Sequence, residues 1–308
     1  MSLKEKWYAI VNPGSAKGKT KDRWPGFYSQ MKQAGVDLDY AYTTGQGDGK
    51  NLAKAALDSG YRRIIAVGGD GTVNEVVNGL IFDDKPLFPD IHLAVFEHGT
   101  GSDFIRTLNP HADLKSFIDS LHAGHHRLID IGKVVFLNSQ KMQETRYFLN
   151  ASNLGIGAEV VQRVNQGGKK WGSKLAYLAE TLLTILHFQN IAVSMQLDQT
   201  QRKGVFCGLM VCNGQFIGGG MQIAPHALLE DGFLDVIAIK DITKLKLFTS
   251  FPLIYKGKHI DLPEIEIYRC RSIIMQTPDT AIIEVDGEII GTSPKEFSIL
   301  PQCLKIRI

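Results

Sequence analysis

Gly68-Gly69-Asp70-Gly71-Thr72, set between Ile64-Ile65-Ala66-Val67 and Val73-Asn74-Glu75-Val76-Val77-Asn78-Gly79-Leu80, is the stretch of this 308-residue chain whose composition points most directly to chemistry. Three glycines remove Cβ atoms from a turn, so backbone N–H groups can approach a ligand and φ can be positive without strain. Thr72 with Glu75 three residues on has the spacing of a capping box, which predicts that a helix starts there. Val73, Val76, Val77 and Leu80 then recur at i, i+3, i+4 and i+7 as one apolar face. A helix N-terminus at the carboxyl end of a strand commonly binds phosphate oxygens. Asp70 conflicts with that reading, since two unit charges 4 Å apart repel by about 4 kcal/mol at an effective dielectric of 20. A cation removes the conflict, because Mg²⁺ commonly bridges carboxylates and phosphates. The same residues also describe a plain tight turn with Asp70 as its local cap.

Other segments repeat the pattern. Asn12-Pro13-Gly14-Ser15-Ala16-Lys17-Gly18-Lys19-Thr20 follows an apolar run at 7–11, yet Gly14 and Gly18 enclose three residues where a Walker A loop needs four. Glu97-His98-Gly99-Thr100-Gly101-Ser102-Asp103-Phe104-Ile105-Arg106 is a second glycine loop after a strand-like run at 91–96, and two such loops at one end of a sheet converge at a topological switch point. Gly45-Gln46-Gly47-Asp48-Gly49 lacks the third glycine of a dinucleotide fingerprint, Lys50 standing there, and reads as a plain connection. Leu229-Glu230-Asp231-Gly232 and Glu284-Val285-Asp286-Gly287-Glu288 are acidic clusters, and each Asp-Gly step is equally a turn signal. His122, His125 and His126 have no Cys or carboxylate at ligand spacing and read as a solvated helix end.

In this order the segments resemble the diacylglycerol kinase catalytic-domain lipid kinases, a family that includes bacterial diacylglycerol and YegS-like lipid kinases and the sphingosine kinases. The central loop is shared with NAD kinases and phosphofructokinases, whereas Asn12-Pro13, the 99–106 loop and Asp286-Gly287-Glu288 favour the lipid kinases. Ala16, Glu97 and Ser102 stand where the family usually has glycine, proline and asparagine. The resemblance implies transfer of the γ-phosphate of ATP to a hydroxyl of a lipid such as diacylglycerol. It implies nucleotide contacts from Asn12, Pro13, Ser15, Gly68, Gly69, Asp70, Gly71, Thr72, Glu75, Gly99, Thr100 and Asp103. It further implies a Mg²⁺ network of Asp70, Asp103 and Asp130, a separate Mg²⁺ held by Asp231 with the carbonyls of Leu228 and Phe233, and Asp286 as catalytic base supported by Glu288. The alternatives are an NAD kinase-like enzyme and a catalytically silent nucleotide-binding regulatory protein.

These residues need elements to hold them. Alternating β and α patterns up to about residue 131 predict an α/β, doubly wound, Rossmann-like domain of the phosphofructokinase and NAD-kinase type. From Leu128 onward short β-rich runs predict a C-terminal antiparallel β-sandwich. The expected division is 1–131 for nucleotide and 132–291 for lipid substrate, with 292–308 returning to the first domain by resemblance. Apolar helical patterns at 171–188 and 242–255 read as covers for a sandwich face, or as surfaces resting on a membrane. With 44% hydrophobic and 21% charged residues the chain reads as an ordinary globular protein, and a net charge of +2 gives no global attraction to nucleic acid. Four cysteines without CxxC spacing predict reduced thiols in a cytoplasmic protein. No apolar run reaches the roughly 20 residues of a membrane span. The expected partners are a lipid at a membrane surface, met by peripheral contact at the inner face, and a second copy in a homodimer.

Overall fold

β-branched and aromatic residues run together at Trp7–Val11 (β1), Leu38–Tyr42 (β2), Arg63–Gly68 (β3) and His92–Glu97 (β6), and all four form parallel strands. The computed structural model describes residues 3–97, 103–108, 113–166, 184 and 188–308. Gly99, Thr100, Ser102 and nearly all of the 171–188 helix lie outside the described residues. The chain divides into two units, Met1–Ile131 with Leu229–Asp231 and Leu300–Ile308, and Gly132–Leu228 with Gly232–Ile299.

In the first unit the strand order is β2-β1-β3-β6, completed by the end of Glu288–Arg307 (β18), whose Lys305 and Ile306 pair in parallel with His92 and Leu93. Helices Lys19–Gln33 (α1), Asp48–Asp58 (α2) and Asp70–Leu80 (α3) connect the strands, and the hairpin Ile81–Phe82 (β4) and Lys85–Pro86 (β5) precedes β6. The order reverses at β1, so the crevice between the carboxyl ends of β1 and β3 is the switch point where such sheets bind ligands. Asp103–Leu108 (α4) and Leu114–Ala123 (α5) follow β6. Trp7, Ala9, Val11, Ile65, Val67, Ala94 and Phe96 pack with Trp24, Met31 and Phe117 in one core layer. The expected apolar stripe of α3 is buried as well, and a Cβ on Gly79 would lie 2.4 Å from the Lys50 carbonyl, so only glycine lets α2 and α3 approach this closely.

The predicted capping box is not formed. The helix starts at Asp70 with Gly69 as N-cap and no side-chain cap, which puts Glu75 more than a turn inside it and out of reach of the terminus. The Glu75 carboxylate instead accepts the N–H groups of Gly47, at 2.7 Å, and Gly49, at 2.9 Å. It therefore serves the first turn of α2, and 45–49 is not a plain connection.

The second unit is antiparallel. His126–Leu137 (β7) enters it and pairs with Gln143–Phe148 (β8); Ala151–Gly155 (β9), Ile191–Leu197 (β10), Thr200–Cys212 (β11), Leu234–Lys240 (β14), Ile265–Cys270 (β15), Ser272–Gln276 (β16), Ile282–Val285 (β17) and β18 complete the main pairings. Ile156–Gln166 (α6), the short pair Phe216–Ile217 (β12) and Met221–Gln222 (β13), and Lys244–Ile254 (α7) lie between strands. Inward residues such as Phe148, Leu154, Leu209, Val236, Ile273, Ile283 and Phe297 form its core. A Cβ on Gly132 would meet the Phe148 ring at 2.3 Å, so that position requires glycine. The described cysteines are free thiols, three of them buried.

Two expected strands are broken. The run at 146–154 bends at Leu149-Asn150, because the carboxylate of Asp286 accepts the N–H groups of Leu149 at 2.8 Å, Asn150 at 2.9 Å and Ala151 at 3.1 Å. The run at 265–276 breaks at Arg271, where Asp198 accepts the N–H groups of Arg271 and Ser272. Both aspartates open two-residue hairpin turns with φ of 45° and 49°, and each donates its own N–H at 3.0 Å to the strand it bends. β propensity runs through both bends; long-range carboxylates interrupt it.

Candidate functional site

At the switch point of the first unit, side chains tie three loops together. Asn12, just past β1, donates from Nδ2 to Thr72 Oγ1 at 3.0 Å and accepts the Gly14 N–H at 2.9 Å. Ser15 Oγ binds the Asn12 carbonyl at 2.9 Å and shares a 2.6 Å bond with Thr20 Oγ1, which fixes the turn containing Pro13. Ala16 and Lys17 both take left-handed φ, 52° and 59°. That conformation favours glycine, so alanine at this position is strained.

The central glycines divide by role. A Cβ on Gly68 would lie 2.4 Å from Thr72 Oγ1, whereas Cβ atoms on Gly69 and Gly71 would meet nothing within 4 Å. Gly69 has φ of −94° and neither Gly68 nor Gly71 is left-handed, so the expectation of positive φ is corrected. Gly68 makes room for the Thr72 side chain. Gly69 and Gly71 leave an open space at a helix N-terminus that no side chain caps, and a phosphate fits such a space.

Asp70 points at protein rather than into an unscreened anion site. Its carboxylate accepts the N–H groups of Asp103 at 3.2 Å and Phe104 at 3.0 Å, anchoring the start of α4. Asp103 is itself buried. Asp130 is fully buried in β7 and accepts the Gln302 N–H at 2.7 Å, while its own N–H binds the Leu229 carbonyl. Among the described residues no three His, Cys, Asp or Glu side chains gather as around a metal ion. Asp70 and Asp130 fasten different segments of backbone, so these three acids, Asp70, Asp103 and Asp130, do not form a direct three-ligand cluster. Mg²⁺ arriving with a nucleotide needs only one or two carboxylates beside phosphate oxygens, and Asp70 fits that more modest role. Asp231 precedes Gly232, which turns at φ 73°. The Phe233 ring lies 4.7 Å from the Arg269 guanidinium and 5.0 Å from that of Arg271.

In the second unit Asp286 and Gly287 form the β17–β18 turn, with φ of 45° and 92°. These are the positive values of a type I′ hairpin. Three backbone donors orient the Asp286 carboxylate, as described above, and Glu288 pairs with Arg146. Glu284 beneath them was missed as a site residue. It is 2% exposed and accepts from Asn153 Nδ2 and from the Gly287 N–H. Burial, reinforced by the charges of Asp286 and Glu288, pushes its carboxyl up to about 8 against the two hydrogen bonds. At neutral pH Glu284 thus holds a proton, which needs an acceptor. Asn153 Oδ1, which is buried and otherwise unpartnered, would become that acceptor on turning over the side-chain amide that here donates from Nδ2. Glu284 is the penultimate residue of β17, two residues before Asp286 in the turn, and its place in the acidic cluster Glu284-Val285-Asp286-Gly287-Glu288 is the signal available in the sequence.

Comparison with known proteins follows this geometry. Residues 6–134 match the family described as diacylglycerol kinase catalytic domain, and residues 151–308 match the YegS C-terminal NAD kinase beta sandwich-like domain. A diacylglycerol kinase of Bacillus subtilis (strain 168) is 30% identical over 290 residues, covering 94% of this chain and 91% of the relative. One from Staphylococcus carnosus (strain TM300) is 28% identical over 297 residues, covering 96% and 93%. A crystal structure of a diacylglycerol kinase from Bacillus anthracis str. Sterne superposes with a TM-score of 0.71 at 22% identity, covering 98% of this chain and 96% of that one. Yeast NADH kinase complexed with NADH shares the fold, with a TM-score of 0.55 at 9% identity over 98% of this chain and 82% of that one.

Two expected outcomes separate architecture from ligand contact. Gly68→Ala drives a methyl into Thr72 and should destabilise the protein by about 1–3 kcal/mol in denaturant unfolding. Gly69→Ala should unfold within about 0.5 kcal/mol of wild type but bind ATP about tenfold or more weakly in calorimetry. Glu284 makes stability depend on pH: its folded value of about 8 exceeds the ordinary 4.5, so stability falls as pH rises from 4.5 to 8 and levels off above. Glu284→Gln should remove that fall, which is at most roughly 5 kcal/mol, when unfolding is measured at intervals across the window.

Proposed function

The chain belongs to the diacylglycerol kinase catalytic-domain family of lipid kinases, and from that premise we propose that it transfers the γ-phosphoryl group of ATP to a hydroxyl of a lipid such as diacylglycerol. The observation that carries this reading is the open space over Gly69 and Gly71 at the uncapped N-terminus of α3, at the β1–β3 switch point. Backbone N–H groups and the helix dipole there favour phosphate oxygens. Asn12 and Thr72 hold the facing loop in place. Asp70 keeps α4 in position and is the carboxylate best placed to share Mg²⁺ with the phosphates; the ion, when bound, neutralises charge on the transferred group.

A loose phosphoryl-transfer transition state asks the protein mainly for positioning and for removal of the acceptor's proton. Asp286 takes that proton in this account. Its three backbone donors fix the orientation of the carboxylate, with Glu284 setting the Gly287 turn beneath it and Arg146 holding Glu288 aside. Asp231 with the carbonyls of Leu228 and Phe233 is proposed as a second Mg²⁺ site.

Peripheral contact with a membrane is supported by α7, which buries none of its residues and leaves Leu245 74% and Phe248 50% exposed beside Lys244. Among the described residues no helix is long and apolar enough to cross a membrane.

Asp198 provides a control for Asp286, because it too opens a two-residue hairpin turn with a left-handed φ and accepts backbone N–H groups where the neighbouring strand bends. With radiolabelled ATP, Mg²⁺, NAD and a lipid panel in mixed micelles, wild type should label a lipid. Label on NAD would favour the NAD kinase-like reading, and no labelled acceptor the silent module. Asp286→Asn should lower kcat by about 10²–10⁴ with little change in the KM for ATP, while Asp198→Asn keeps kcat. Equal losses in both variants, tracking stability, would make Asp286 a turn residue only.

A further inference from the structure

The amino ends of β3 and β6 and the last residues of β18 bring together an unbalanced set of basic side chains. Register places Lys305 opposite His92, His92 opposite Arg63, and Arg63 opposite Trp7. Parallel neighbours in register share a face, so Lys305, His92 and Arg63 form one row of basic side chains, and Arg307, two residues past Lys305, lies on the same face. The Arg307 guanidinium is 5.7 Å from the Trp7 ring, and the His126 ring meets that of His92 edge-on at 5.3 Å.

No carboxylate answers them. None of the ion pairs among the described residues involves Arg63, His92, His126, Lys305 or Arg307; the nearby Asp90 is engaged by Lys4 and Arg62. Arg307 is only 7% exposed, yet its Nε has no partner, and neither has the buried Nδ1 of His92. Their other contacts are to carbonyls. Arg307 donates to His125 at 3.4 Å, Arg63 to Glu5 at 3.0 Å and Lys305 to Pro89 at 3.1 Å. These bonds fasten chain segments and supply no negative charge. Burial, followed by the charges of Arg307, Lys305, His126 and Arg63, pushes His92 down to about 4.

We propose that Arg63, His92, Lys305 and Arg307, with His126 at the rim, form a second anion site for a phosphate monoester or inorganic phosphate, at the end of the sheet opposite the ATP cradle. The length of β3, roughly 17 Å at 3.3 Å per residue, separates it from Gly68. Arginine suits such a site because its fork matches phosphate oxygens. A dianion would also return His92 toward the ordinary histidine range.

The test follows the His92 imidazole by NMR in the full chain, with the cradle filled by a non-hydrolysable ATP analogue and Mg²⁺. Inorganic phosphate should raise the His92 titration midpoint saturably from about 4. Arg63→Gln and Lys305→Gln, both at partly exposed positions, should each weaken that effect about tenfold while leaving kcat and the melting temperature near wild type. Sedimentation with phosphatidylcholine vesicles, with and without phosphatidic acid, then identifies the source. Binding that needs phosphatidic acid and is lost in the double variant marks a lipid headgroup, and a phosphate response without vesicle binding marks a free anion. A His92 midpoint unmoved by phosphate, or moved equally in both variants, overturns the proposal.

Discussion

Carboxylates that capture backbone N–H groups from distant segments hold this structure in its working form. Asp70 anchors α4, Glu75 the start of α2, Asp130 the left-handed backbone at Gln302 in β18, Asp198 the bend at Arg271, and Asp286 the bend at 149–151. A hydrogen bond to an ionised acceptor is about twice as strong as a neutral one and contributes roughly 1.5–3 kcal/mol. Asp70 and Asp286 also fix segments that the proposed site requires. Four of the five, all but Asp198, were singled out by their resemblance to site residues, and the structure gives them a mechanical duty first.

The duty and the chemistry are compatible at Asp70 and Asp286. An acid held by backbone donors keeps one orientation, as a metal ligand or proton acceptor needs. Glu284 contrasts with them. It is buried, protonated at neutral pH, and bonded to the turn that presents Asp286, so its ionisation state is coupled to the shape of that turn.

The parallel strands, the α3 stripe and the glycine loop at the switch point were legible because each is local in sequence: periodicity of 2 or 3.6, β-branched runs, and glycines at fixed offsets. The partners of Glu75 were not, since they lie 26 and 28 residues away and glycine N–H groups leave no pattern of their own. The bends at 149–150 and 271 were hidden for the same reason, with the responsible aspartates 135 to 137 and 73 to 74 residues distant. By resemblance Ala16 stands where the family usually has glycine, and its left-handed φ explains why glycine is the easier residue there. Within one signature, Gly68 and Gly79 answer to close packing and Gly69 and Gly71 to open space, a difference that composition alone does not carry.

The central claim is that the open space over Gly69 and Gly71 receives the phosphates of ATP. A crystal structure of the chain with a non-hydrolysable ATP analogue and Mg²⁺ tests it most directly. The account predicts phosphate oxygens within hydrogen-bond distance of backbone N–H groups at 69–71, with Asp70 still bonded to Asp103 and Phe104. Phosphates lodged elsewhere, with Gly69 and Gly71 facing solvent, would contradict it.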